Sequence, residues 1–177
     1  MAAFDPSAEL SAELDFRLLR NTCVTLFWDP AILTSTIAWL GEHGYRTVEI
    51  DAARWTREAD LHRDIAAALD FPDHYGKNLD ALNDCLRDVA SGDYGADLGA
   101  TGFVLVLRHY DKFATAQARA SHALLDIYAD QARGALLIGH RMMCLVQSDD
   151  PRLSFPTVGA LSVTWNDAEW LDSKRGL

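Results

Sequence analysis

Positive charge is in short supply in this sequence: 16 Lys and Arg stand against 26 Asp and Glu, a formal net charge of −10. Nucleic acid and anionic membranes both select for Lys and Arg, so the deficit argues against either as the direct partner. A basic protein partner remains compatible, as does an acidic balance kept for solubility alone. Cysteine is also sparse. Cys23, Cys85 and Cys144 lie in or beside apolar runs at wide spacings, which matches no metal-ligand template and would leave an odd thiol if two were paired. Reduced, buried cysteines in a cytosolic protein are the expectation. No stretch approaches the ~20 apolar residues of a membrane span, and Met1 to Arg20 carries acids where a signal peptide needs bases. The expected location is the cytoplasm. Nucleotide loops are missing too: no Walker-type run and no GxGxxG follows any strand. The glycine-rich segment from Gly92 to Gly102 is acidic, which is wrong for cradling phosphate. There is no GxSxG elbow for serine catalysis, and no internal repeat or low-complexity tract.

What is present is an ordinary globular composition, 49% apolar and 24% charged over 177 residues. This is enough for one good core with room for an extension. Residues 1–12 read as a loose leader. Phe16–Arg20 and Cys23–Trp28 are apolar runs separated by Asn21-Thr22, which predicts a β-hairpin. Asp29-Pro30 reads as an N-cap and first turn, opening a helix whose apolar face includes Ile32, Leu33, Ile37, Trp39 and Leu40. Thr47–Ile50 alternates as a strand. A helix over about 58–69 is expected to face Leu61, Ile65, Ala68 and Leu69 inward and Asp60, His62, Arg63 and Asp64 outward. Phe103–Leu107 is continuously apolar, as in a strand buried on both faces. A long helix is predicted from about Thr115 to Arg133 with Gly134 ending it. Met142–Gln147 and Leu161–Trp165 read as further strands. Strands alternating with helices predict an α/β fold with parallel neighbours.

One stretch, Phe71 to Leu86, organises the rest. Pro72 and Gly76 break the chain, and Asn78 offers a side-chain oxygen to cap a new helix. Leu79, Leu82, Leu86 and Val89 then recur at helical spacing, with Cys85 beside them. The opposite face carries Asp80, Asn83, Asp84, Arg87 and Asp88. Asp80 and Asp84 sit one turn apart, a like-charge pair costing a few tenths of a kcal/mol in an isolated helix. The helix dipole offsets this more for Asp80 than for Asp84. An acidic knob in this position suits the docking of something basic. His74 with Asp80 and Asp84 also has the makings of metal ligation or acid–base chemistry on a phosphorylated or glycosidic substrate. No second histidine stands at ligand spacing in the segment, so neither a metal nor a cofactor is expected.

The run from Asp60-Leu61-His62 through Tyr75-Gly76-Lys77-Asn78-Leu79-Asp80-Ala81-Leu82-Asn83-Asp84-Cys85-Leu86 strongly resembles the barstar family of ribonuclease inhibitors. The resemblance covers about 45–150, leaving an N-terminal extension (13–44) and a C-terminal one (151–177) around that core in a single domain over 13–177. It implies an α/β fold, a small parallel three-stranded sheet packed by helices, here extended by the N-terminal hairpin plus helix. It also implies a non-enzymatic function, inhibition of a microbial ribonuclease of antitoxin or immunity type. In such an inhibitor an acidic helix and its preceding loop enter a basic active site, with a carboxylate standing where phosphate would sit.

On this resemblance Asp84 corresponds to the aspartate in the phosphate pocket and Asp80 to its companion one turn earlier. Gly76 belongs to the binding loop, with Tyr75 and Asn78 beside it, and His74 corresponds to an aromatic contact. Asp130 on the long helix corresponds to a contributed glutamate. The partner implied is a basic secreted ribonuclease or related toxin. Asn83 stands where the family has a tryptophan, His74 replaces a tyrosine, and Asp93 to Ala100 lengthens the loop after the acidic helix. Interface energy concentrates in aromatic and arginine anchors, so these departures point to a different cognate partner. A family-like module for a non-ribonuclease protein is the alternative.

Overall fold

The computed structural model describes residues 13–170 and Arg175. The leader, 1–12, and tail residues 171–174, 176 and 177 lie outside the described residues. In chain order the elements are α1 (Leu14–Leu19), β1 (Val24–Phe27), α2 (Pro30–Glu42), β2 (Tyr45–Asp51), a 3₁₀ turn (Ala52–Arg54), α3 (Glu58–Ala68), α4 (Leu79–Ser91), β3 (Gly102–Arg108), α5 (Tyr110–Ala116), α6 (Ala118–Leu137), β4 (Met142–Gln147) and β5 (Thr164–Trp165).

The sheet has five strands in the order β2-β3-β4-β1-β5, and every neighbouring pair is parallel. Three contiguous strands, β2, β3 and β4, are those implied by the resemblance. Strands β1 and β5 continue the sheet on the β4 side. Alternation along β3 divides the core. Phe103, Leu105 and Leu107 pack with the apolar faces of α3, α4, α5 and α6. Val104 and Val106 face the other way, toward Leu18 of α1 and Leu33 and Leu40 of α2. Both faces of the parallel sheet are thus covered, which is why β1, β3 and β4 read as largely apolar runs without polar alternation.

Three expectations are corrected. Among the described residues there is no N-terminal hairpin. Leu14 and Leu18 are one turn apart and place Leu14–Leu19 in a helix, with Leu18 buried. Val24–Phe27 is buried at every position and pairs with β4 and β5, not with the preceding segment. A run with no solvent-facing residue belongs inside a sheet, and Asn21-Thr22 lacks the glycine that favours a tight hairpin turn.

Asp60 and His62 do not face outward: both are buried, at 6% and 1% exposure. Asp60 Oδ2 accepts the N–H groups of Thr56 and Arg57, each at 3.1 Å, at the otherwise unsatisfied start of α3,. The long helix has other bounds, Ala118–Leu137 where 115–133 was expected. Gln117, at φ −140°, separates α5 from α6. Gly134 lies inside α6, which runs on to Leu137 and is followed by Gly139 at φ +80°.

Candidate partner-binding site

The loop from Phe71 to Asn78 is held from beneath by aromatic packing. Phe71 meets Tyr75 edge-on at 4.9 Å and Tyr94 at 5.9 Å between ring centroids,. Tyr75 is buried, and its hydroxyl lies 2.5 Å from His62 Nδ1. Across the ring, His62 Nε2 is 3.3 Å from Glu58 Oε1. A neutral Nε2–H tautomer satisfies both contacts, with the tyrosine donating to Nδ1. Burial pushes the Tyr75 phenol well above its usual range, so it stays a neutral donor. The chain enters the loop with Asp70 at φ +55° and leaves it with Lys77 at φ +50°, two turns that non-glycine residues adopt only where their surroundings fix them.

Helix α4 begins where the sequence places its cap. Asn78 Oδ1 accepts the Ala81 N–H at 2.8 Å, and Asp80 occupies the first turn, where the positive end of the helix dipole favours a carboxylate. The helix ends at Gly92, φ +81°, in a left-handed cap,. A Cβ there would lie 2.4 Å from Leu98 Cγ. Leu82, Cys85, Leu86, Val89 and Ala90 are buried.

The polar face of α4 is sorted by its neighbours. Asp88 accepts from the Tyr94 hydroxyl at 3.1 Å, so the lengthened loop clamps it. Asn83 is half-buried and accepts from the Gln131 side chain of α6 at 2.8 Å. Asp80 and Asp84 are left facing solvent. Asp84 pairs with Arg87 at 3.1 Å one turn along the same helix, both side chains about 60% exposed (61% and 59%). Such exposed pairs are worth little and yield readily to a better cation.

His74, Gly76 and Asn78 are likewise exposed, in the loop that runs directly into α4, whereas Tyr75 is buried. Asp130 lies on α6, next to Gln131. It is exposed and ion-paired with Arg133, whose Nη1 donates to the Gly159 carbonyl at 2.8 Å, and its backbone adjoins Gly159. That face of α6 is turned to residues 157–160, whereas Gln131 is turned to α4. Sequence reasoning missed Gln131 and His62. A histidine one turn after Glu58 on α3 was the available signal for the latter. Among the described residues no group of three or more His, Cys, Asp or Glu side chains is placed to hold a metal ion. No helix among them is long and apolar enough to cross a membrane.

Comparison with known proteins bears on the family and the fold. The "Putative ribonuclease inhibitor YrdF" of Bacillus subtilis (strain 168) is 51% identical over 85 residues, 48% of this chain and 75% of that protein. Among solved structures, the Walker-type ATPase PABY2304 of Pyrococcus abyssi superposes with a TM-score of 0.52 at 14% identity, over 92% of this chain and 53% of that one. The chain therefore spans about half of that ATPase, and the likeness is one of fold alone. The family model for barstar, described as barnase inhibitor, matches residues 45–147, from the first residue of β2 to the last of β4. The chain belongs to the barstar family.

Proposed function

We propose that this protein is a non-catalytic inhibitor of a ribonuclease, and that it blocks the enzyme with the surface formed by the 74–78 loop and the exposed acids of α4. The observation that carries this reading is the sorting of the α4 acids. Asp88 is engaged inside the molecule, whereas Asp80 and Asp84 are held out together at the start of a rigid, capped helix. A ribonuclease active site must bind phosphate with cationic side chains, and two fixed carboxylates one turn apart offer such a site its counter-charge without any reordering of the inhibitor. The partner is a basic microbial ribonuclease or related toxin, the inhibitor acts in the cytoplasm as an antitoxin or immunity protein, and neither nucleic acid nor a membrane is contacted directly. His74, Gly76 and Asn78 line the contact, and Tyr75 supports the loop from below. Asp130, next to Gln131 on α6, is the further acid assigned to the contact. Residues 13–177 act as one domain.

A second reading, the same scaffold serving a non-ribonuclease partner, draws on Asn83. Its amide is occupied by Gln131, so the position offers no aromatic anchor of the kind that concentrates interface energy. Titrating a panel of small basic microbial ribonucleases with the purified protein tests the two. Stoichiometric loss of activity for at least one enzyme is expected. Full activity across the panel, with a different protein co-purifying from the host lysate, would favour the second reading.

A further inference from the structure

We propose that a cavity walled by the C-terminal segment, outside the family-matched residues, binds a planar aromatic anion. The cavity, of about 430 Å³, lies beside the edge strand β5. Its volume falls in the range of small-molecule sites. Trp165, Trp170, Leu153 and Val163 supply flat apolar walls, Arg152 and Arg175 supply charge, and among the described residues no Asp or Glu lines it. In a chain of net charge −10, a cavity whose described lining carries two arginines and no acid is a local reversal of sign.

Arg175 is the central observation. Only 5% exposed, it lies over the Trp165 ring with its guanidinium carbon 3.9 Å from the centroid. Its Nη1 donates to the Glu169 carbonyl at 3.1 Å and its Nη2 to the Pro151 carbonyl at 2.8 Å. Both partners are neutral main-chain groups, and its buried Nε–H has no acceptor. Among the described residues no carboxylate pairs with it. A buried guanidinium is ordinarily compensated by an opposite charge, because desolvating it alone is costly. An anion entering the cavity supplies that charge, and a planar ring attached to it stacks against the tryptophans and the guanidinium face. Next to the lining residue Trp170, Glu169 is fully buried, and its carboxylate accepts the N–H of Trp28 at 3.1 Å.

Two sources share this chemistry, aromatic carboxylic acids and nucleoside monophosphates. Isothermal titration calorimetry of the full chain at low ionic strength, with indole-3-acetate in one arm and adenosine monophosphate in the other, separates them. The proposal expects saturable one-to-one binding in at least one arm. The matching neutral compound, indole or adenosine, should bind at least about tenfold more weakly, as loss of a charged hydrogen bond implies. Arg152→Gln, at an exposed position, should weaken the anion by a similar factor, and Arg175→Met should abolish binding. Absence of binding at millimolar concentration in both arms would overturn the proposal. So would equal affinity for the neutral compounds, or undiminished binding by a folded Arg152→Gln protein.

Discussion

His62 Nδ1 and the Tyr75 hydroxyl lie 2.5 Å apart in the interior, and this contact joins α3 to the loop that leads into α4. The loop's outer residues are exposed, so its shape depends on what holds it from within. Tyr75→Phe removes one neutral hydrogen bond and should cost about 1 kcal/mol of stability. His62→Ala removes a buried ring and orphans the phenol, and should cost about 2–4 kcal/mol. Denaturant unfolding of the two variants checks the order. Equal, negligible effects would mean that the contact does not support the loop.

Acid should weaken the protein through Asp60. The Thr56 N–H and then the Arg63 guanidinium, 2.8 Å from Oδ1, hold this carboxyl down at about 2, against an ordinary 3.8. A carboxyl lowered in the folded state favours folding above its unfolded pKa, and that contribution is lost as pH falls from roughly 4 toward 2. Wild type should therefore exceed Asp60→Asn in stability at neutral pH, with the gap closing across that window. A gap that stays constant to pH 2 would contradict the assignment.

The difference between what was legible and what was not follows from range. Asn78 as a cap and the Leu82–Leu86–Val89 stripe depend on residues within a turn of one another, and the spacing alone predicts them. The outward placement expected for His62 failed because its partner, Tyr75, is 13 positions away. The hairpin failed for the same reason: Val24–Phe27 looks like half of a local pair, yet its hydrogen-bonded neighbour is β4, 120 residues later. At the site, the acids of α4 look alike in sequence. Only the distant Tyr94 and the still more distant Gln131 decide which polar groups of that face remain free.

The C-terminal segment is anchored through Glu169. Its carboxylate accepts the N–H groups of Trp28, at 3.1 Å, and Asp29, at 2.5 Å, just before α2, together with the Asn166 amide. Glu169→Ala leaves two main-chain donors at the end of β1 without their acceptor and should cost about 2–3 kcal/mol. It should also loosen β5, which pairs with β1 over only two residues. Faster amide exchange at Thr164 and Trp165 than elsewhere in the sheet is the expected result. Unchanged stability and exchange would remove Glu169 from this role.

The most direct measurement is the inhibition constant of Asp84→Ala against the ribonuclease that the wild-type protein inhibits, read at two salt concentrations. Asp84 is exposed and, among the described residues, pairs with Arg87 alone, so the variant should fold as wild type does. Inhibition should weaken by about 100-fold or more, an effect of the size that charge pairs show in the complex of barnase and barstar, the family's namesake. The remaining binding should also be less sensitive to salt. Inhibition by Asp84→Ala as tight as wild type at both salt concentrations would contradict the account.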